Sequence, residues 1–276
     1  MNTYEEKCKE LKEMIDGYTK KNLMIAFSGG VDSSLLLSLA CESAKQYGTT
    51  VYAATLHTML HPMNDLEEAR RTAREAGAEH LVLKVNELQD AGILHNPVDR
   101  CYRCKKCLFQ QVQKQAEELE IDVILDGTNE DDLHVYRPGI RALGELGIIS
   151  PLALTGMTKA EVRRLAKENG LATSSKPSTP CLATRFPYGT QLEESKMKQV
   201  EKGEAYLKTL GFYNVRLRVH GDTARIEVDR PDIGKMAEKS GEIVAYLKSL
   251  GYRYITVDLE GFRSGSMDLE EWREQR

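Results

Sequence analysis

Ser28-Gly29-Gly30-Val31-Asp32-Ser33 stands between an apolar run, Leu23 to Phe27, and the apolar helical pattern of Leu35, Leu36, Leu39 and Ala40. A strand that enters a glycine turn and leaves it as a helix is built to bind anions. Gly29 and Gly30 carry no Cβ, so the chain can turn tightly and aim consecutive backbone N–H groups at a phosphate, while the new helix adds its positive dipole end. Ser28, Ser33 and Ser34 supply hydroxyl donors. The Asp32 carboxylate would repel a bare phosphate, so its position suits Mg2+, which takes oxygen ligands and bridges phosphates. No Gly-Lys-Ser/Thr ends the motif, which separates it from the Walker type. The bland alternative is a capped strand-to-helix turn without a ligand.

A second chemistry lies in the thiols. Cys101, Cys104 and Cys107 form Cys-x-x-Cys-x-x-Cys, and Cys181 follows Pro180 in a long loop. Soft thiolates clustered in this way bind iron–sulfur clusters or zinc and are otherwise a redox liability. At 100° per residue, a helix over Lys105–Leu119 extended back to Cys101 places Cys101 and Cys104 on the side of Leu108, Val112, Ala116 and Leu119. Cys107 projects with Lys114 and Glu118 toward solvent, so Cys101 and Cys104 are the expected ligands. With Cys181 as third ligand, a [4Fe–4S] cluster would keep one iron free of protein and able to hold sulfide. A structural zinc would need a fourth ligand, His95 or Cys107. Cys8 and Cys41 lie in helical patterns and read as small core residues.

The elements that must position these groups alternate. After an amphipathic helix over Tyr4–Tyr18, Leu23–Phe27, Val51–Leu56, His80–Val85 and Asp122–Asp126 read as strands, separated by helical patterns at Ser33–Gln46, Leu66–Ala76 and Lys105–Leu119. This predicts an α/β domain with a parallel, helix-flanked sheet. Sites in such sheets lie at the carboxyl ends of strands, where the Ser28 loop, Thr55–His57 and Gly127–Asp132 fall. Thr55 and Gly127 are therefore expected to border the nucleotide, with His57 as a bystander. Asn129, Asp131 and Asp132 are either metal or ribose contacts or a polar turn. A capping box at Thr158/Glu161 starts a further helix that stops at Gly170. The stretch Ala172–Thr190 has no period and reads as a loop.

Beyond it, a helix at Glu193–Leu210, strands at Asn214–Val219, Ala224–Val228 and Arg253–Leu259, and helices near Ile233–Lys239 and Glu242–Leu250 predict a small α+β domain. The expected division is 1–185 and 186–276. Tyr206-Leu-Lys-Thr-Leu-Gly and Tyr246-Leu-Lys-Ser-Leu-Gly read as two similar helix ends rather than a repeat. Arg216 and Arg218 alternate along a strand, so they share a face and could clamp a phosphate, or else pair with acids such as Glu227. Lys105 and Arg185, beside the expected cluster ligands, are candidates for gripping a carboxylate or acyl phosphate, or are solvated cations.

The chain has 276 residues, six cysteines, 41% hydrophobic content and a net charge of −4. No apolar run reaches the ~20 residues of a spanning helix and the first residues are not signal-like, which leads to the expectation of a cytoplasmic protein with reduced thiols and no membrane. The charge argues against a broad nucleic-acid surface.

The Ser28–Ser33 loop resembles that of the N-type ATP pyrophosphatases. Taken with Cys101/Cys104, Asp126-Gly127-Thr128-Asn129, Tyr136-Arg137-Pro138-Gly139, Cys181-Leu-Ala-Thr-Arg185-Phe-Pro-Tyr-Gly189 and Gly261-Phe-Arg-Ser-Gly265, the chain resembles the LarE-type ATP-dependent sulfur transferases of nickel-pincer nucleotide synthesis, the cofactor of lactate racemase. The resemblance implies adenylation of pyridinium-3,5-biscarboxylic acid mononucleotide by ATP, followed by replacement of oxygen with sulfur. Some members sacrifice the sulfur of a lone cysteine; Cys101, Cys104 and Cys181 place this sequence with the cluster-dependent branch. It also implies that Arg216 and Arg218 serve the substrate phosphate, that Glu204 lies at the site, that the protein is a homo-oligomer, and that its partners are other proteins of the nickel-pincer pathway. Competing readings are a tRNA-thiolating relative, an amide-forming synthetase of the GMP or NAD type, and a zinc or iron–sulfur module without enzymatic activity.

Overall fold

The lead-in helix α1 (Tyr4–Thr19) buries Leu11 and Ile15, and Thr3 and Glu6 close a capping box at its start. The chain then alternates β1 (Leu23–Ala26), α2 (Val31–Tyr47), β2 (Val51–His57), α3 (Asn64–Ala76), β3 (Glu79–Lys84), a one-turn α4 (Glu87–Asp90), α5 (Arg100–Glu118) and β4 (Ile124–Leu125). Four more helices follow: α6 (Glu130–Leu133), α7 (Gly139–Glu145), α8 (Pro151–Leu154) and α9 (Lys159–Glu168). The computed structural model describes residues 2–60, 64–135, 138–176, 181–263 and 265–268.

These elements form a parallel sheet in the order β3-β2-β1-β4. Strand β1 is apolar throughout and reads as a central strand, because its side chains alternate between two buried faces. Leu23 and Ile25 enter a core with α1, α2, α3 and α9, whereas Met24 enters another with Phe109, Val112 and Ala116 of α5. Helix α2 is buried nearly all round, with Leu35, Leu36 and Leu37 fully enclosed. Each such leucine contributes roughly 1.5–3 kcal/mol, so the start of α2 is rigidly held. The helix ends at Gly48 in the left-handed region. The strand expected over Asp122–Asp126 shrinks to Ile124–Leu125, lengthened by a parallel bridge from Leu125 to Ile149. The order reverses direction at β1/β4, which opens a crevice beyond their carboxyl ends.

The chain divides into two units, Met1–Ile93 with Asp99–Thr179, and Leu94–Val98 with Pro180–Arg276. In the second, a short 3₁₀ turn over Leu182–Arg185 precedes α10 (Glu194–Thr209), β5 (Val215–His220), β6 (Thr223–Val228), α11 (Ile233–Glu238), α12 (Ser240–Ser249) and β7 (Tyr254–Val257). Strands β5 and β6 pair antiparallel, and β6 and β7 parallel. Helices α10 and α12 end alike, with Phe212 N–H donating to the Leu207 carbonyl and Tyr252 N–H to that of Leu247, both at 3.3 Å. Their Tyr206 and Tyr246 rings stack at 3.9 Å. Among the described residues, no helix is long and apolar enough to cross a membrane.

Candidate active site

The turn between β1 and α2 is held open by its own hydroxyls. Ser28 N–H donates to Ser33 Oγ at 3.3 Å, Gly30 N–H to Ser28 Oγ at 3.3 Å, and Ser33 Oγ to the Gly30 carbonyl at 3.2 Å. Gly29 has φ +70°, and a Cβ there would stand 3.3 Å from Ala69 Cβ of α3, so only glycine fits without strain. No side chain caps α2. Among the described residues, the buried Ser34 hydroxyl has no hydrogen-bond partner. The first turn of α2 thus presents an uncapped positive end beside a ring of hydroxyls, the arrangement that binds phosphate.

Asp32, in that first turn, receives Asn129 Nδ2 on Oδ1 at 3.1 Å and Lys159 Nζ on Oδ2. Asn129 also caps α6 with Asp132, and Asp131 accepts the Lys159 N–H at 2.8 Å. Asn129, Asp131 and Asp132 therefore form a polar turn, one member of which reaches the loop. Gly127 is the point of closest approach: a Cβ there would lie 3.0 Å from both Asp32 Cβ and Ser33 N. Thr55 is turned inward, its hydroxyl donating to the Phe27 carbonyl and meeting His80 Nε2, both at 2.8 Å. His57 closes β2 beside Lys84.

The first two turns of α5 carry the thiols. Cys101 is exposed and takes Arg100 Nη2 on its sulfur at 3.6 Å, while Cys104 is half-buried. The expected sides of α5 do not hold: Cys101, expected on the inward side, is exposed, and Cys107, expected toward solvent, is half-buried like Cys104, with α4 packed against α5. Burial, with the Asp90 and Glu87 carboxylates nearby, pushes the Cys107 thiol up. Burial likewise takes the Cys41 thiol up to about 11, as befits a core residue. Lys105, next after Cys104 on α5, lies over the Phe109 ring, with Nζ 3.7 Å from Asp126 Oδ2. Asp126 is buried at the end of β4, where Ser150 and Thr128 hydroxyls donate to its two oxygens.

In the second unit Cys181 opens the 3₁₀ turn. Arg185, 2% exposed, forks onto Glu204 with Nε and Nη2 at 2.9 Å each, and Nη1 donates to the Cys181 carbonyl at 3.2 Å and to Thr184 Oγ1 at 2.9 Å. Glu204 also accepts Leu217 N–H at 2.9 Å. Arg218 binds Glu227 at 2.8 Å and the Thr184 carbonyl at 3.0 Å. Glu227 is thus the acid partner that the strand pattern admitted. Arg216 is buried beside them with Nη1 on the Val215 carbonyl and its guanidinium 5.1 Å over the Phe262 ring. Among the described residues it has no carboxylate partner, and burial, then the Arg185 charge, lowers its pKa.

A PP-loop domain matches residues 3–142. Relatives span nearly the whole chain. An uncharacterised protein of Synechocystis sp. is 38% identical over 89% of this chain and 91% of its own. The pyridinium-3,5-bisthiocarboxylic acid mononucleotide synthase of Lactiplantibacillus plantarum is 36% identical over 90% of this chain and 89% of its own. This chain belongs to the LarE-type PP-loop ATP pyrophosphatases. It is an ATP-dependent sulfurtransferase. The tRNA-specific 2-thiouridylase MnmA of Rickettsia bellii matches at 26% over 67% of this chain and 60% of its own.

The LarE-type loop fits a triphosphate: the glycine cradle, the uncapped helix and the orphaned Ser34 hydroxyl are its marks. It also fits Mg2+, which binds through one or two carboxylates plus substrate phosphates rather than an all-protein cage. For a cluster, Cys101 and Cys104 sit one helical turn apart with suitable soft donors, and Cys181 belongs to the other unit. Among the described residues no three His, Cys, Asp or Glu side chains gather to hold a metal. Of the motif residues, Tyr136, Arg137, Pro180 and Ser264 lie outside the described residues. Lys159 was missed by sequence reasoning; its one signal was its place directly after the capping Thr158.

Proposed function

We propose that this LarE-type enzyme converts carboxylates of pyridinium-3,5-biscarboxylic acid mononucleotide to thiocarboxylates on the way to the nickel-pincer nucleotide. The observation that carries the reading is Lys105, which links the thiol-bearing start of α5 to Asp126 at the end of β4, next to the nucleotide loop. The name of the Lactiplantibacillus relative supplies the substrate class.

A substrate carboxylate oxygen attacks the α-phosphorus of ATP, the α–β anhydride bond breaks, and pyrophosphate leaves. Sulfide then attacks the acyl carbon, and AMP departs with the former carboxylate oxygen, leaving a C–S bond in place of C–O. The N–H groups at the start of α2, with Ser28 and Ser33, hold the departing pyrophosphate. Asp32 would hold Mg2+, which offsets charge on the phosphates. Cys101, Cys104 and Cys181 would hold a [4Fe–4S] cluster, which supplies the sulfide. Lys105 steadies the acyl phosphate by a charge-assisted bond. Arg216 takes the substrate's own phosphate, while Arg218, Arg185 and Glu204 fix the strand and turn that present it.

The test is mass spectrometry of the biscarboxylate nucleotide after incubation with ATP, Mg2+ and sulfide under anaerobic conditions. Oxygen-to-sulfur exchange with AMP and pyrophosphate is the expected result. Formation of ADP, or salt-dependent tRNA binding with tRNA thiolation instead, would overturn the reading.

A further inference from the structure

The carboxylate best placed to meet a metal ion is already occupied. Both oxygens of Asp32 carry protein donors, Asn129 Nδ2 on one and the Lys159 ammonium on the other. Lys159 is anchored at its backbone, where Asp131 accepts its N–H and the Thr158/Glu161 box fixes the first turn of α9. Its side chain is a four-carbon stem that remains one-third exposed. An anchored root with a flexible, partly solvated head can change partner without moving the helix.

We propose that Lys159 is a counter-ion shuttle. This rests on the reading of the Ser28–Ser33 loop as the ATP site. The ammonium neutralises Asp32 and stands where the divalent cation would bind. When ATP and the divalent cation enter together, the nucleotide's negative phosphates give the ammonium a new partner. Lys159 then leaves Asp32 to the cation and grips the phosphates that depart as pyrophosphate. Two cations on one carboxylate repel each other, so metal alone binds poorly and metal with nucleotide binds well. Lys159 thus couples the two ligands and becomes a catalytic residue that touches the leaving group.

Mn2+ serves as the probe, titrated into the full chain without nucleotide and followed by electron paramagnetic resonance. Lys159→Gln exposes Asp32, so it is expected to bind Mn2+ alone about tenfold more tightly than the unmodified protein, the factor that ~1.4 kcal/mol of removed competition supplies. The same variant is expected to bind ATP more weakly, and its Mn2+ affinity to rise less on adding ATP. Lys159→Arg keeps the charge and is expected to behave like the unmodified protein toward Mn2+ alone. Lys159→Gln combined with Asp32→Asn is expected to lose the gain. If Lys159→Gln binds Mn2+ no more tightly while the unmodified protein still binds Mn2+ and ATP together, the shuttle fails and the site reading survives. If the unmodified protein binds no ATP, the site reading itself fails.

Discussion

Arg185 and Glu204 meet as a bidentate pair with almost no exposure, and all three nitrogens of that guanidinium donate to protein oxygens. Removing one partner of such a pair strands a buried charge and costs about 3–5 kcal/mol, whereas replacing both with neutral groups is far cheaper. Arg185→Met is therefore expected to lower stability by about that amount. Arg185→Met with Glu204→Gln is expected to recover most of it, because the Gln oxygen still serves Leu217 N–H. Denaturant midpoints measure the stability and turnover separates the roles. A double variant that is stable and active shows that Arg185 only braces the 3₁₀ turn, while one that is stable and inactive places it at the substrate. From the spacing alone Arg185 reads as a substrate-gripping cation, since nothing in the sequence announces that Glu204, nineteen residues on, lies on a helix facing it. Arg216 and Arg218 show the same limit. Their shared face follows from strand alternation, but the β5/β6 register sets Arg216 opposite Glu227, and the carboxylate nonetheless pairs diagonally with Arg218.

At the scale of the element, α4 and the residues after β2 form one device. Glu87, fully buried, accepts Leu60 N–H on Oε1 at 2.8 Å while Oε2 has no hydrogen-bond partner among the described residues, and burial raises its pKa. Residues 58–60 follow the carboxyl end of β2, so Glu87 ties down chain at the edge where the nucleotide loop lies. A carboxyl that holds its proton above the unfolded value of ~4.3 contributes fully below that pH, and its contribution is lost as pH rises through the folded value. Glu87→Gln cannot ionise. Its stability relative to the unmodified protein is expected to improve steadily from about pH 4.3 toward neutrality. Glu87→Ala leaves Leu60 N–H without its acceptor and is expected to cost ~1–3 kcal/mol near pH 4, a cost that shrinks toward neutrality in parallel with the Gln difference. Urea midpoints across that range check both, and a Glu87→Gln difference that ignores pH would show the carboxyl titrating normally. Helix α4 also explains why part of the thiol geometry was hidden. The start of α5 was legible because its apolar stripe has a helical period, but α4 is one turn long and has none, so its cover over Cys107 left no trace in the sequence. The loop before α2 was legible because glycines, hydroxyls and an acid are dictated by local chemistry. Lys159 reaches Asp32 only through the packing of α9 on α2.

At the scale of the whole molecule, the proposed nucleotide site and the proposed cluster ligands come from different elements. The Ser28–Ser33 loop, Asp32, Asn129 and Lys159 are assembled from β1, α2, α6 and α9 through contacts between oxygen and nitrogen atoms. The proposed cluster ligands come from the start of α5 and from the second unit. Binding and activation of ATP should therefore survive loss of the metal, while sulfur transfer should not. Anaerobically purified protein is expected to carry about four irons per chain. That iron is expected to be lost in Cys101→Ala, Cys104→Ala and Cys181→Ala. Cys107→Ala is expected to retain it, since burial and two neighbouring carboxylates disfavour the thiolate that a cluster needs. Iron that survives Cys181→Ala but not Cys107→Ala would reverse the ligand assignment. Stripping the iron with a chelator then gives the sharper outcome. With the biscarboxylate nucleotide present, stripped protein is expected to release pyrophosphate from ATP and to yield no thiocarboxylate. Equal loss of both would mean that the metal holds the nucleotide loop together, which the all-oxygen and nitrogen contacts around Asp32 argue against.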